Sequence, residues 1–243
     1  MRRRFFVEEF QGGAATLRGE TAEHLSRVLR AKEGQLYELS DGRNVWLGRV
    51  ESVRNGSRDA SRVEFSLIEP IESAELPLRI ELLLSIVKFE RFEWCLEKAT
   101  ELGVVEIVPL EAARSEKKLL IAAQKRASRW ERILLESAQQ SRQLRPPALF
   151  PAMRPEQAFV NSRAGCQFIF SERQDARPLR SVQMGCLAKN ISVAVGPEGG
   201  WIDGEIASAR AAGYYETSLG EGILRTETAV VAALAVLRYA LAE

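Results

Sequence analysis

The sequence holds one histidine, His24, and three cysteines, Cys95, Cys166 and Cys186. They lie far apart. No Cys/His cluster has metal-ligand spacing, so no metal is expected, and neither is a disulfide framework. Neither sign of charge dominates: 34 Lys and Arg stand against 33 Asp and Glu, a net charge of +1. That excludes a general polyanion-binding surface and leaves any nucleic-acid contact to a local patch. Long hydrophobic runs are missing too. The longest, Ala229 to Leu237, is too short to span a bilayer and is followed by Arg238. The start MRRRFFVEEF has the arginines of a signal segment, but Glu8 and Glu9 interrupt its apolar stretch at once. No signal peptide is expected, and a reducing cytoplasm fits. Neither G-x-x-x-x-G-K-[ST] nor G-x-G-x-x-G occurs. Internal repeats and low-complexity tracts are also absent.

What is present is enough for a proper core: 243 residues, 46% of them hydrophobic. Residues 1 to about 70 read as strands with one helix. Strand patterns lie at Phe5–Val7, Ala15–Leu17, Gln35–Leu39, Val45–Val50 and Arg62–Ile68, with an Asp41-Gly42 hairpin turn. Thr21 is placed to cap a helix over Ala22–Leu29, with His24, Leu25, Val28 and Leu29 at helical spacing. The polar, Pro-bounded stretch Glu69–Pro77 reads as a linker, which gives a small β-barrel-like domain over 1–72 and a second domain over 76–243.

The second domain alternates strand and helix, the pattern of an α/β fold with a parallel sheet. Ile80–Val87 is nearly continuous apolar, as in a strand buried on both faces. Glu90–Leu102 is a helix closed by Gly103, Val104–Leu110 a strand, and Lys118–Arg142 one long helix ended by Pro146-Pro147. Cys166–Phe170 and Ile191–Val195 are further strands. Two Gly-rich turns follow, Gly196-Pro197-Glu198-Gly199-Gly200 and Leu219-Gly220-Glu221-Gly222-Ile223-Leu224-Arg225, each leading into a helix. Asp203 and Thr226 are placed to cap those helices. Glycines without a Cβ let main chain approach a ligand, and two such loops can hold a nucleotide base by N–H and C=O groups. Phosphate binding is the first rival, against which Glu198 and Glu221 place a carboxylate in each loop. Two tight turns with no ligand are the second.

The wording of these loops is more specific than their spacing. VGPEGGW followed by LGEGILRTETAVVAAL resembles the signature of the RsmE family, 16S ribosomal RNA uracil-N3 methyltransferases of the SPOUT superfamily. EHLSRVLRAKEGQ is similar to that family's amino-terminal PUA-like RNA-binding domain. Glu93-Trp94 through Gly103 matches its first large-domain helix, and Arg129–Ile133 with Glu136–Arg142 its long-helix pattern. The resemblance covers the whole chain. It implies a SPOUT-type parallel sheet with a carboxyl-terminal trefoil knot, S-adenosyl-L-methionine as methyl donor, a homodimer, and 16S rRNA of the small ribosomal subunit as partner. It places the cofactor against Phe170, Ser171 and Glu172, against Val195, Gly196, Pro197, Glu198, Gly199 and Gly200, and against Leu219, Gly220, Ile223 and Leu224. Two departures stand out: Gly222 replaces a frequently basic residue, and a glycine common near Phe89-Glu90 is missing.

Uracil N3 carries a proton, so this chemistry needs a base or a stabiliser of the anion. Arg225 is the candidate stabiliser, its alternative a surface or interface ion pair. Glu198 is the candidate base or a holder of the methionine amino group, its alternative a solvated turn residue. Arg2, Arg3, Arg4, Arg27, Arg30 and Lys32, with Arg114, Lys117 and Lys118, are candidate phosphate contacts, set against scattered surface charge. Two rival functions remain: another SPOUT enzyme acting on transfer RNA or a different ribosomal nucleotide, and a non-catalytic RNA-binding assembly protein.

Overall fold

The computed structural model describes residues 3–56, 60–72, 78–181 and 189–241. Two compact units emerge. The first takes residues 1–75 and also 138–146, and the second takes 76–137 and 147–243. The return of 138–146 to the first unit has no signature in the sequence.

The first unit contains β1 (Arg4–Phe6), β2 (Ala14–Arg18), α1 (Gly19–Glu23), β3 (Leu36–Ser40), β4 (Val45–Arg54) and β5 (Arg62–Ile71). They form one sheet in the order β1-β3-β4-β5-β2. β1 runs parallel to β3, and the other pairs are antiparallel. Phe5, Leu17, Leu25, Leu39, Val50, Val63 and Phe65 make its core. Gly48 is required there, because a Cβ would lie 2.5 Å from Leu39 Cδ1. The helix differs from expectation. It begins at Gly19, and after Glu23 it widens into a π-helical turn, His24–Val28, ended by Arg30 at φ 51°. The expected linker is partly strand, since β5 continues to Ile71; residues 73–77 lie outside the described residues.

In the second unit β6 (Arg79–Ser85), α2 (Phe89–Glu101) and β7 (Val104–Leu110) come first. Then follow α3 (Lys117–Ala123), α4 (Ala127–Gln140), β8 (Ala148–Leu149), α5 (Pro155–Asn161) and β9 (Cys166–Phe170). The chain ends with β10 (Arg177–Pro178), β11 (Asn190–Val195), α6 (Asp203–Ala211), β12 (Tyr215–Ser218) and α7 (Thr226–Leu241). The sheet order is β10-β12-β9-β11-β6-β7-β8, and every pair is parallel. Alternate residues serve two cores. Ile80, Leu82, Leu84, Phe168, Val193 and Val195 pack with α2 and α7 on one face. Leu83, Ile169 and Ala194 pack with Phe159, Trp201, Ile206 and Tyr214 on the other. A sheet covered on both faces requires the near-continuous apolar strands seen in the sequence.

The single long helix expected over 118–142 is two helices, broken at Gln124–Arg126. Past the break, Trp130 is buried with its ring 4.5 Å from that of Phe92. Arg126 lies 4.3 Å above the Phe89 ring and donates to Glu93 Oε1 at 2.9 Å. The cysteines also depart from expectation. Cys95 is a free, buried thiol, and burial pushes its pKa up to about 12. Cys166 is disulfide-bonded. Cys186 lies outside the described residues. Among the described residues no helix is long and apolar enough to cross a membrane.

Glu93 fastens α2 to α4. Arg129 donates to both its oxygens at 2.8 Å, and Arg126 adds a third bond. The Arg129 hydrogen bonds, above all, hold its carboxyl below the usual carboxylate range. Glu93→Gln should therefore cost at most about 1 kcal/mol at neutral pH, the scale for ion pairs whose cationic partner is open to solvent. A folded pKa below the unfolded one stabilises above the unfolded value and stops doing so as pH falls through the folded value. Denaturant titrations of both proteins from pH 7 to pH 3 should show their difference shrinking with acid.

Candidate active site

Three segments meet at the carboxyl ends of β9, β11 and β12, adjacent positions in the sheet. Together they bound a cleft that opens to solvent at its mouth. β9 contributes Phe170, Ser171 and Glu172; β11 contributes Val195, Gly196 and Pro197. The segment after β12 contributes Leu219, Gly220, Gly222 and Leu224, and the first turn of α7 adds Thr226 and Ala229. A Cβ at Gly220 or Gly222 would meet no protein atom within 4 Å. Both therefore leave room that a flat ligand edge can use. Gly220 also has φ +135°, which an L side chain rarely adopts. Walls of Val195, Leu219, Leu224 and Ala229 with main-chain edges between them suit an adenosine-like group, apolar on its faces and hydrogen-bonding at its rim.

The loop after β11 is fixed from both sides. Trp201 Nε1 donates to Phe170 O at 2.8 Å, and Thr226 Oγ1 donates to Gly196 O at 3.0 Å. Gly196 sits flat on the indole, where a Cβ would come within 3.0 Å of the ring. Thr226 was expected as an N-cap; it is the first helical residue, and its hydroxyl serves the loop instead. Asp203 likewise begins α6 rather than capping it, and its carboxylate accepts from Arg173 Nη1 at 2.6 Å. The group that does satisfy the start of α6 is Glu205, fully buried. It accepts from Ile202 N at 3.0 Å and from Ala113 N at 2.8 Å.

The second half of the loop turns away from this cleft. Glu198 and Gly199 line a neighbouring one, at the ends of β6 and β7, with Ile86, Lys88, Arg91, Arg114 and Glu116. Arg91 Nη1 donates to Glu198 Oε1 at 2.8 Å, and Arg91 Nε lies 3.7 Å from Glu227 Oε1. Arg114 Nη1 donates to Gly199 O at 2.6 Å, and a Cβ on Gly199 would press on Arg114 at 3.2 Å. Gly200, at φ +68°, lies beneath the Glu172 carboxylate. Glu198, Gly199 and Gly200, expected at the cofactor, thus face arginine or a carboxylate. Ile223 is 83% exposed and lines neither cleft. Gly222 lines the first one, as a glycine of the second Gly-rich loop was expected to; Thr226 and Ala229 line it too and were not expected there. The i, i+3 spacing of Thr226 and Ala229 at a helix start was the available signal; Arg91 offered none.

Arg225 lines neither cleft. Its neighbours Leu224 and Thr226 do, so the chain holds it at the rim, where its side chain is exposed. Of the expected phosphate contacts, Arg3, Arg27, Arg30 and Lys32 are exposed in the first unit, and Arg114, Lys117 and Lys118 in the second. Arg4 is not available. It is buried, donates to Glu38 Oε2 at 3.0 Å and reaches Gln143 O. Alternation puts it on the face opposite Phe5, where Glu38 of β3 and the returning 138–146 segment cover it. Arg27 is tied to Glu23 and to Gly56 O, and Arg2 lies outside the described residues. Among the described residues no three His, Cys, Asp or Glu side chains are grouped to hold a metal.

Residues 74–238 match the RNA methyltransferase domain family. The chain is 34% identical to ribosomal RNA small subunit methyltransferase E of Synechocystis over 94% of its own length and 74% of that protein. It is 31% identical to the protein of that name from Mesomycoplasma hyopneumoniae, over 94% and 95%. Among solved structures it resembles ribosomal RNA small subunit methyltransferase E from Neisseria gonorrhoeae bound to S-adenosyl methionine. There the TM-score is 0.85 and identity 28%, over 99% of this chain and 98% of that one. A Legionella pneumophila protein with the cofactor SAM bound gives a TM-score of 0.84 at 28% identity, with the same coverage.

The two kinds of glycine in this cleft should separate in a stability measurement. Gly196→Ala pushes a methyl group into Trp201 and should destabilise by about 1–3 kcal/mol, as overpacking does. Gly222→Ala adds the same group to open space and should stay within about 0.5 kcal/mol of the parent. Thermal melts of the two variants decide the matter; equal losses would contradict the packing described.

Proposed function

Because the chain belongs to the ribosomal RNA small subunit methyltransferase E family, we propose that it methylates 16S rRNA of the small ribosomal subunit with S-adenosyl-L-methionine as donor, at N3 of one uridine. The observation that carries this is the three-segment cleft at the ends of β9, β11 and β12, in a fold shared along 99% of the chain with a relative that binds that cofactor. Phe170, Ser171, Val195, Gly196, Pro197, Leu219, Gly220, Gly222 and Leu224 would hold it. When bound, it supplies an electrophilic methyl group.

The chain's own task is alignment and charge. Holding acceptor and donor in line removes much of the entropic barrier. Arg225, free at the rim, is placed to stabilise the negative charge that spreads over N3 and its flanking carbonyl oxygens as the proton leaves. A planar guanidinium bridges two such acceptors. Glu198 is held by Arg91, so we assign it to fixing the loop. The first unit is assigned RNA binding, as a PUA-like domain. The trefoil knot and a cytoplasmic location belong to the same proposal. A deletion strain should lose one methyluridine from its 16S rRNA, read by mass mapping, and the purified protein should restore it. Modification of a transfer RNA instead would favour the rival enzyme. Arg225→Ala should slow single-turnover transfer about 10²–10³-fold with cofactor affinity little changed. A folded variant nearly as fast as the parent removes Arg225 from the mechanism.

We also propose a homodimer. On α7, Val230, Ala233, Leu234 and Leu237 are consumed by the unit's own core. The other face of α7 exposes Val236 and Tyr239, 93% exposed, and the preceding loop exposes Ile223. A partner subunit covers such a stripe. Sedimentation should give twice the chain mass, and Val236→Glu with Tyr239→Glu should reduce it to one chain. A parent that is fully active as a single chain would refute the dimer.

A further inference from the structure

Strand register in the first unit lines up three arginines. Arg18 on β2 pairs with Arg62 on β5, and Arg62 pairs with Arg54 on β4. Directly opposed residues of antiparallel strands project from the same face. The row therefore crosses three strands, about 10 Å at normal strand spacing. Its neighbours in sequence, Leu17 and Val63, are buried on the inner face, so the arginines stand on the outer one. Like charges directly opposed destabilise a sheet, and the local compensation is slight. Glu64 Oε1 lies 3.0 Å from Arg62 Nε, yet the angle makes no hydrogen bond and Nε keeps no acceptor. The other Glu64 oxygen accepts from Ser52 Oγ. Arg18 and Arg54 are exposed, and neither has a hydrogen-bond or ion-pair partner among the described residues. At the same end Arg27, paired with Glu23, reaches Gly56 O just beyond β4.

Three arginines opposed in register at a cost to the sheet suit a ligand whose negative charges follow one another along a chain. Each planar fork can take a phosphate with two parallel hydrogen bonds. We propose that Arg18, Arg54 and Arg62 bind the phosphate backbone of the RNA substrate outside the reacting nucleotide, which rests on the rRNA methyltransferase function proposed above. The site is absent from the candidates drawn from the sequence, because only register brings residues 18, 54 and 62 together.

The test is the double variant Arg18→Gln, Arg54→Gln in the full chain. Fluorescence anisotropy with a labelled 16S rRNA fragment, repeated across KCl concentrations, gives affinity and salt slope; calorimetry gives cofactor affinity. Affinity at moderate salt should fall about tenfold or more. Two lost contacts should flatten the slope of log K against log salt by about 1.4, at ~0.7 per single-strand phosphate. Cofactor affinity should not change, and the melting temperature should hold or rise as repulsion is relieved. A folded variant with the parent's RNA affinity and slope overturns the inference while leaving the enzyme's function standing. Lowered melting with unaltered RNA binding overturns it as well, since the row would then serve the sheet or another partner. A parent that neither binds nor methylates small-subunit rRNA overturns both together.

Discussion

Two side-chain donors hold the loop on which the second unit's site depends. Trp201 Nε1 binds the carbonyl of Phe170, and Thr226 Oγ1 binds the carbonyl of Gly196. Where a parallel strand ends, its last carbonyls lose their ladder partners, and in a dry environment each needs a donor. Trp201 and Thr226 satisfy that need from residues remote in sequence. They fasten the end of β9, the loop after β11 and the start of α7 into one frame. Gly196 follows from the same arrangement, since a Cβ there would crowd the indole at 3.0 Å. A ligand entering between these segments meets main chain already in place and does not have to order it.

The loop has two sides with different chemistry. Gly196 and Pro197 face the apolar cleft, while Glu198 and Gly199 are gripped by Arg91 and Arg114. The grip is electrostatic and exposed, hence individually weak. It acts where Glu198, Glu227 and Arg91 meet above the buried thiol of Cys95, whose ionisation burial and the two nearby carboxylates oppose. A neutral thiol beneath the loop packs as a small apolar group and offers no competing nucleophile. The same sheet thus provides a dry wall for a small ligand and a charged wall beside it.

Legibility in the sequence followed the physics of each feature. β7 and β9 run from Val104 to Leu110 and from Cys166 to Phe170 as the apolar runs require, because burial on both faces writes itself into composition. Two segments of the cleft were legible as Gly-rich loops, and the third, after β9, only through the resemblance. Within them, chain order could not say which way each residue faces. Pro197 and Glu198 are neighbours on opposite sides. The break between α3 and α4 was hidden because Gln124, Lys125 and Arg126 are all acceptable in a helix, and the anchoring of Arg126 and Trp130 is tertiary. Arg4 misled for a related reason. An arginine near the amino terminus is ordinarily solvated, and only its pairing with Glu38 makes burial tolerable.

Near-zero net charge gives the outer arginines of the first unit a particular meaning. A strongly basic enzyme adheres to any RNA it meets, and adhesion of that kind does not select a nucleotide. With 34 cations against 33 anions, this chain has little long-range attraction to offer. Binding must then come from places where charges are unbalanced locally and fixed in direction. Several cations fail that condition: Arg4, Arg27, Arg91, Arg129 and Arg210 are each taken by a carboxylate. Those that satisfy it sit on elements that cannot swing away, Arg18 and Arg54 at the ends of paired strands and Arg225 between a cleft-lining loop and α7. Pairing consumes charge that would attract RNA at large, and what remains is set by backbone register. Under that division, the electrostatics of this protein orient an RNA already close by more than they draw it in.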